Sequence, residues 1–256
     1  MKFILLTADD FGINEKVDEA IITCFKNDSV SITSAIVNMT NPEYLKKIAE
    51  NNGFLDRVGF HLNLCEGKPL TDDIKTCKTF CDDEGNFTSS FLNNKKKHLF
   101  LSKRERKAVE KEIAAQMKTF IESGFVFKNV DSHKHYHNYP SLFPIVLKKA
   151  KLFGFTRMRM VRNKTNNFVK RAYIKHTNKI IKKNFLSSCA FLSAKDYVDD
   201  PVISNNIVEI MAHPSFDNFG NLVNLRSYNF ETILSKIKDN GDVLVLKSIE
   251  HIYGKH

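Results

Sequence analysis

The stretch FILLTADDFGINEKVDEAIITCFKNDSVSITSAIV, residues 3–37, reads as a strand, a helix and a second strand. Phe3–Thr7 is an apolar run of strand length, Asn14–Asn27 has helical spacing, and Ser31–Val37 is rich in Ile, Thr and Val. The alternation continues outward from there. Asn41 and Pro42 open a helix to about Asn51, and Val58–Leu62 is a short strand. Lys68–Asn94 has turn residues and no sustained period, and reads as a long loop. Ser102–Ser123 is a helix, with Ser102 and Glu105 forming a capping box. Strand Phe127–Val130, helix Ser141–Phe153, strand Arg157–Val161, strand Ile207–Met211, helix Tyr228–Asn240 and strand Val243–Lys247 follow. Repeated strand–helix units predict an α/β fold with a mostly parallel sheet and crossover helices. Without an internal repeat or a low-complexity linker, residues 1–256 are expected to form a single domain.

The chain has 256 residues, 42% of them hydrophobic and 27% charged, which is ordinary globular composition and enough for a sizeable core. Five cysteines with no CxxC pair argue against a disulfide framework and for reduced thiols. The apolar run Phe3–Leu6 is too short for a secretory leader and stops at Asp9 and Asp10, so a cytoplasmic location is expected.

The formal net charge is +10, and it is unevenly spread. Residues 148–195 carry 14 basic side chains and no acidic one. Such a block suits a phosphate, a nucleic acid, an anionic membrane surface, or simply a solvated lysine-rich face. Within it, residues 165–186 read as a basic amphipathic helical insertion: Phe168, Val169, Ala172, Tyr173, Ile180, Ile181 and Phe185 alternate with Lys170, Arg171, Lys175, Lys179, Lys182 and Lys183. Packing one face on the domain is the plainer role, and interfacial membrane binding the sharper one.

In parallel strand–helix folds functional groups gather at the carboxyl ends of the strands. Four clusters meet that condition. Asp9-Asp10-Phe11-Gly12 follows the first strand. Neighbouring residues in extended chain point to opposite sides, so one carboxylate could hold a metal and the other take a proton; a turn with a helix cap would use the same residues. His61 ends the third strand, where a hydrogen-bonded core histidine is the commoner outcome. Asp131-Ser132-His133-Lys134-His135-Tyr136-His137 places three alternating histidines after a strand, on one side of the segment if it is extended. His213, before Pro214, follows the strand Ile207–Met211 and suits a general acid as well as a strand-ending turn. Oxygen and nitrogen groups without a thiolate, at the ends of four strands, suit a divalent ion with open coordination positions. No GxSxG, P-loop or GxGxxG sequence is present.

At Thr7–Gly12, Gly59–Leu62, Asp131–His137 and Met211–Pro214 the sequence resembles the YdjC-like carbohydrate deacetylases, the group that includes chito-oligosaccharide deacetylase. Thr33-Ser34-Ala35 and Gly67-Lys68-Pro69-Leu70 add to the likeness. The resemblance implies a (β/α) barrel related to polysaccharide deacetylases, incomplete or distorted, and hydrolysis of an N-acetyl group on a sugar by metal-activated water. It implies one divalent ion, Mg2+ or Zn2+, on Asp10, His61 and His133, with Asp9 as general base and His213 as general acid or oxyanion partner. Arg157 and Arg159 are implied to reach the site or hold Asp9, and His135 and His137 to support it or touch substrate. Ser215 stands where the family has glycine, and the acid-free stretch 148–195 is unusual for it. The partner is expected to be an N-acetylated sugar, for which phosphorylated or lipid-linked forms, a peripheral membrane contact and a homodimer all stay open. A metal-dependent phosphoesterase acting on a sugar phosphate is the competing enzyme. A nucleic-acid-binding protein is a weaker alternative, because only Phe168, Tyr173 and Phe185 interleave the basic segment.

Overall fold

A computed structural model describes residues 1–162, 167–199 and 206–246. Phe3–Phe11 form β1, buried from Ile4 onward as a strand covered on both faces must be. Asn14 caps α1 (Glu15–Lys26) by accepting the Val17 N–H. β2 (Ile32–Ala35), α2 (Pro42–Asn51) and β3 (Val58–Leu62) come next. Two helical turns, α3 (Asp72–Lys75) and α4 (Ser90–Asn93), punctuate the expected long loop, and α5 (Lys95–Leu99) follows. α6 (Lys103–Glu122) carries the full capping box of Ser102 and Glu105. Then come β4 (Asn129–Ser132), α7 (Phe143–Leu152), β5 (Arg157–Met158) and α8 (Phe168–Asn184). The chain continues through β6 (Ala190–Ser193), α9 (Ala194–Asp199), β7 (Ile207–Ala212), β8 (Pro214–Phe216), β9 (Leu222–Asn224), α10 (Phe230–Asp239) and β10 (Val243–Leu244).

Three expectations are corrected. The strand expected at Arg157–Val161 pairs over two residues only. β6, α9 and the β8–β9 hairpin were not foreseen; β6 has four residues, too few for a period to register. The segment 133–137 is not extended. It is a tight 3-10 turn in which Lys134 and His135 adopt φ of 48° and 57°. Lys247 of the expected last strand, and residues 165 and 166 of the expected basic helix, lie outside the described residues.

The main sheet is parallel, in the order β5-β4-β3-β2-β1-β7-β6. β10 and β2 share one edge of β1: Phe3 and Ile4 pair with Val243 and Leu244, and Thr7 onward pairs with β2. The sheet curls into a distorted (β/α) barrel. A single parallel bridge, Arg157 to Leu186, stitches β5 to the chain that becomes β6.

Alternation along the strands sorts the side chains into two layers. Ile4, Leu6, Ala8, Val58, Phe60, Leu62, Val208 and Ile210 face the helices in the main core. There Phe60 meets Phe120 and Phe155 at centroid distances of 5.6 and 5.7 Å, each buried ring stabilising the fold by roughly 1.5–3 kcal/mol. The inward residues begin as a small separate cluster, Leu5, Ile32, Ile207 and Val245, which floors the barrel. Above that floor the buried inward residues are Thr7, Asp9, Ser34, His61, Asp131, Arg159 and Glu209. The barrel thus has a buried, polar interior over an apolar plug. All five cysteines are free, and no described helix is long and apolar enough to cross a membrane.

β1 ends in a turn that glycine makes feasible. Gly12 has φ of 89°, and a Cβ there would lie 2.5 Å from Leu45 Cδ1 and 2.9 Å from the Ile36 carbonyl. Its N–H donates to Asp18 Oδ1 at 2.6 Å. Gly12→Ala should therefore destabilise the protein by about 1–3 kcal/mol, read as a lower urea midpoint with unchanged slope.

Candidate metal centre and catalytic site

Arg159, fully buried, occupies the middle of the barrel. Its NH1 and NH2 donate to the two oxygens of Asp9, at 3.0 and 2.7 Å. NH2 also lies 2.8 Å from Asp131 Oδ2, and Nε donates to Glu209 Oε1 at 2.6 Å. Thr7 Oγ1 donates to the same Glu209 oxygen at 3.2 Å. One guanidinium thus joins β1, β4, β7 and the chain just past β5. Three carboxylates surround it, and they do not ionise equally. Burial opposes the Asp9 charge, but Arg159 and the nearby His61 still hold that carboxyl below the usual range. Glu209 is pushed up by burial, with Arg159 only partly offsetting it.

The surplus of negative charge faces His61. Its Nδ1 lies 2.6 Å from Asp131 Oδ1 and 2.9 Å from Ser34 Oγ. A carboxylate partner keeps a proton on Nδ1 and turns Nε2 toward Asp10, where its lone pair would serve a bound cation. Nε2 is buried, makes no hydrogen bond, and lies 3.2 Å from Asp10 Oδ1. His133 is arranged in the same way with its nitrogens exchanged: Nδ1 is 2.6 Å from Asp10 Oδ1, and Nε2 is 3.1 Å from Glu66 Oε1. Each imidazole therefore has one nitrogen held by an outer carboxylate and the other aimed at Asp10. That is the donor arrangement a bound cation needs, and Asp10, His61 and His133 form a buried group able to hold a metal ion.

The electrostatics point the same way. Without a cation, burial would push His61 down, but the neighbouring carboxylates of Asp131, Asp10 and Asp9 raise it to about 10. Asp10 is held well below the usual carboxylate range by His133 and His61, against the opposing effect of burial. Burial pushes the Cys65 thiol up to about 11, so no preformed thiolate stands beside His133.

Backbone strain brings Asp9 and Asp10 to one cavity. The β1–β2 register shifts between Ala8 and Phe11, and Asp10 takes φ of 76°. Simple alternation would have sent the two carboxylates to opposite faces. The twist instead leaves Asp9 on Arg159 and Asp10 on the histidines, with His61 close to both. His213 follows β7, and the hairpin pins it: its N–H donates to Asn224 Oδ1 at 2.9 Å, and its carbonyl accepts from Leu225 at 3.0 Å. Ser215 sits in β8 opposite Val223. Burial lowers the His213 pKa, while Asp9 and Asp10 pull it back up.

The other expected residues divide. His135 has a buried, unpaired Nδ1 and its ring packs edge-on to Phe191 at 5.7 Å; burial and Arg159 push it down to about 3. His137 is tied to Ser132 Oγ at 2.5 Å and kept neutral by burial. Arg159 is central, whereas Arg157 lies a layer deeper, its guanidinium over the Phe127 ring at 5.4 Å. Asp131, Glu66, Glu209 and Ser34 were not singled out as site residues. Asp131 could have been, as an acid opening the histidine cluster; Glu209 and Glu66 carry no local signal.

Two outcomes follow from this geometry. Arg159→Met leaves three buried carboxylates uncompensated and should cost about 3–5 kcal/mol in urea unfolding. Raised to about 10 by its carboxylate neighbours, His61 carries a second ring proton at pH 7 in the ion-free protein, and a cation bound to Nε2 would displace it. Asp10 and Glu66 also raise His133 against the effect of burial, so titration with Zn2+ should release at least one proton per ion, read by calorimetry in buffers of different ionisation enthalpy.

The chain is similar to several known proteins. A carbohydrate deacetylase of Clostridium beijerinckii is 33% identical over 148 residues, 58% of this chain and 56% of that one, so the matched stretch spans little more than half of that relative. A carbohydrate deacetylase of Listeria monocytogenes is 26% identical over 213 residues, covering 83% and 81%. One of Thermoanaerobacter pseudethanolicus is 26% identical over 259 aligned positions, covering 95% and 93%. Among solved structures, a protein described as a cellobiose-phosphate cleavage protein of Enterococcus faecalis superposes with a TM-score of 0.71 at 19% identity, covering 96% and 97%, which speaks for the fold. The profile of the family described as YdjC-like protein matches residues 3–247, and the chain belongs to that family.

Proposed function

We propose that this chain, acting as one catalytic domain over residues 1–256, removes the N-acetyl group from an acetylated sugar or oligosaccharide. The observation that carries the reading is the pair of imidazoles directed at Asp10, each held from behind by a carboxylate, beside an Asp9 clamped by Arg159. The names of its relatives supply the substrate class. Asp10, His61 and His133 would hold one divalent ion; their hard oxygen and nitrogen donors suit Mg2+ or Zn2+. Such an ion, when bound, polarises an acetyl carbonyl and acidifies water.

The remaining chemistry falls to the chain's own side chains. Arg159 keeps Asp9 ionised and fixes its orientation, so Asp9 is ready to take a proton from the attacking water. His213, at the end of another strand, relays to the departing amine the proton that Asp9 took from the water, as the C–N bond breaks and acetate forms. His135 and His137 stay neutral and shape the wall beside Arg159. A cleft of about 690 Å3 leads away from His135 and Lys134, with Tyr139 and Tyr173 available to stack on sugar faces and Arg162 and Lys170 to meet an anionic substituent.

Incubation with a panel of N-acetylated sugars should release acetate, and a chelator should stop it. Release of phosphate from sugar phosphates without acetate would replace this reading with the phosphoesterase one. Asp9→Asn should keep stoichiometric metal and lose about 10²–10⁴-fold in turnover, because an amide accepts no proton. Near-normal turnover in that variant would move the base elsewhere. His61→Ala and His133→Ala should lose the metal while keeping their far-ultraviolet circular dichroism.

A further inference from the structure

We propose that the lips of the cleft between α5 and α8 dock on the surface of an anionic lipid bilayer. Leu99 and Phe100, at the end of α5, are 55% and 76% exposed. Phe168 and Val169, at the start of α8, are 81% and 75% exposed. Leu99 and Val169 line the same cleft, so the four side chains stand on its two facing lips. They are surplus to packing. α8 seats itself on the barrel through Ile174, Thr177, Asn178 and Ile181, which are buried, and its first turn projects beyond that contact.

Charge identifies the occupant. Lys170, Lys175, Lys179 and Lys183 on α8 are exposed, and among the described residues none of them pairs with a carboxylate. Lys95, Lys96 and Lys103 are exposed behind the other lip. Apolar tips rimmed by cations match an interface whose headgroups are anionic and whose acyl boundary lies just beneath. A second copy of this chain fits poorly, because it would set cation against cation. A nucleic acid would use the cations but leave Phe100 and Phe168 in water. Docked this way, the cleft and its inner wall of Lys134 and His135 open toward the headgroups. The inference concerns the surface and holds whatever bond the site cleaves.

The test is co-flotation of the full chain with vesicles at 0.1 M salt. Binding is expected to equimolar phosphatidylcholine and phosphatidylglycerol, and not to phosphatidylcholine alone. Phe100→Ser with Phe168→Ser should lower the partition coefficient at least tenfold, and Lys96→Glu with Lys175→Glu should do the same. All these side chains are exposed, so both variants should keep the parent's circular dichroism and thermal midpoint. Absence of binding to anionic vesicles would overturn the proposal. So would an unchanged partition in the serine variant, which would mark unspecific attraction to any polyanion, RNA included. A concentration-dependent dimer that the serine variant abolishes would assign the patch to a second copy instead.

Discussion

The barrel interior depends on the buried guanidinium of Arg159. Taking an ion of this kind out of water costs several kcal/mol, and only partners on several strands at once can offset that. Asp9, Asp131 and Glu209 do so from β1, β4 and β7. The network spans a barrel whose two ends are joined by a single backbone bridge. Asp9 and Asp131, with Asp10 beside them, face one guanidinium, which leaves the cavity short of positive charge. That deficit raises His61 in the ion-free protein and makes the adjoining Asp10–His61–His133 group attractive to a metal ion. Structural cross-link and candidate metal site are parts of one charge balance.

Backbone strain is concentrated at the same place. Of the described non-glycine residues with positive φ, Asp10, Lys134 and His135 belong to the site, and only Asp28 does not. The conformation costs of order 1–3 kcal/mol per residue and persists where the surroundings over-determine it. Here Arg159, the histidines and Glu66 supply that surrounding order. Strain at Asp10 lets adjacent carboxylates address one cavity. Strain at Lys134 and His135 folds the histidine run so that His133 reaches Asp10, Lys134 reaches Glu66 at 2.6 Å, and His137 turns back onto Ser132.

The basic block divides in space. Arg159 and Arg157 are interior, Lys149 and Arg162 pair with Glu110 and Asp196, and the lysines of α8 remain outside. A run of like charge in sequence is therefore three populations with different work. The interior arginine answers acids from distant strands, which no count over a segment can reveal.

Read alone, the sequence determined the strand–helix alternation, the capping of α6, and the gathering of Asp9, Asp10, His61, His133 and His213 at strand ends. These follow from local periodicity, cap chemistry and the geometry of parallel strands. It also carried the family likeness that the profile match over residues 3–247 bears out. Tertiary structure alone decided which carboxylate holds which imidazole, because Asp131 meets His61 across 70 residues and Glu66 meets His133 across 67. It likewise separated Arg159 from Arg157, two residues apart in sequence, by setting them in different layers of the barrel. It decided too that Asp9 and Asp10 share a cavity. Alternation rules assume an extended backbone, and a φ of 76° at Asp10 breaks that assumption in a way only the packed barrel can hold in place.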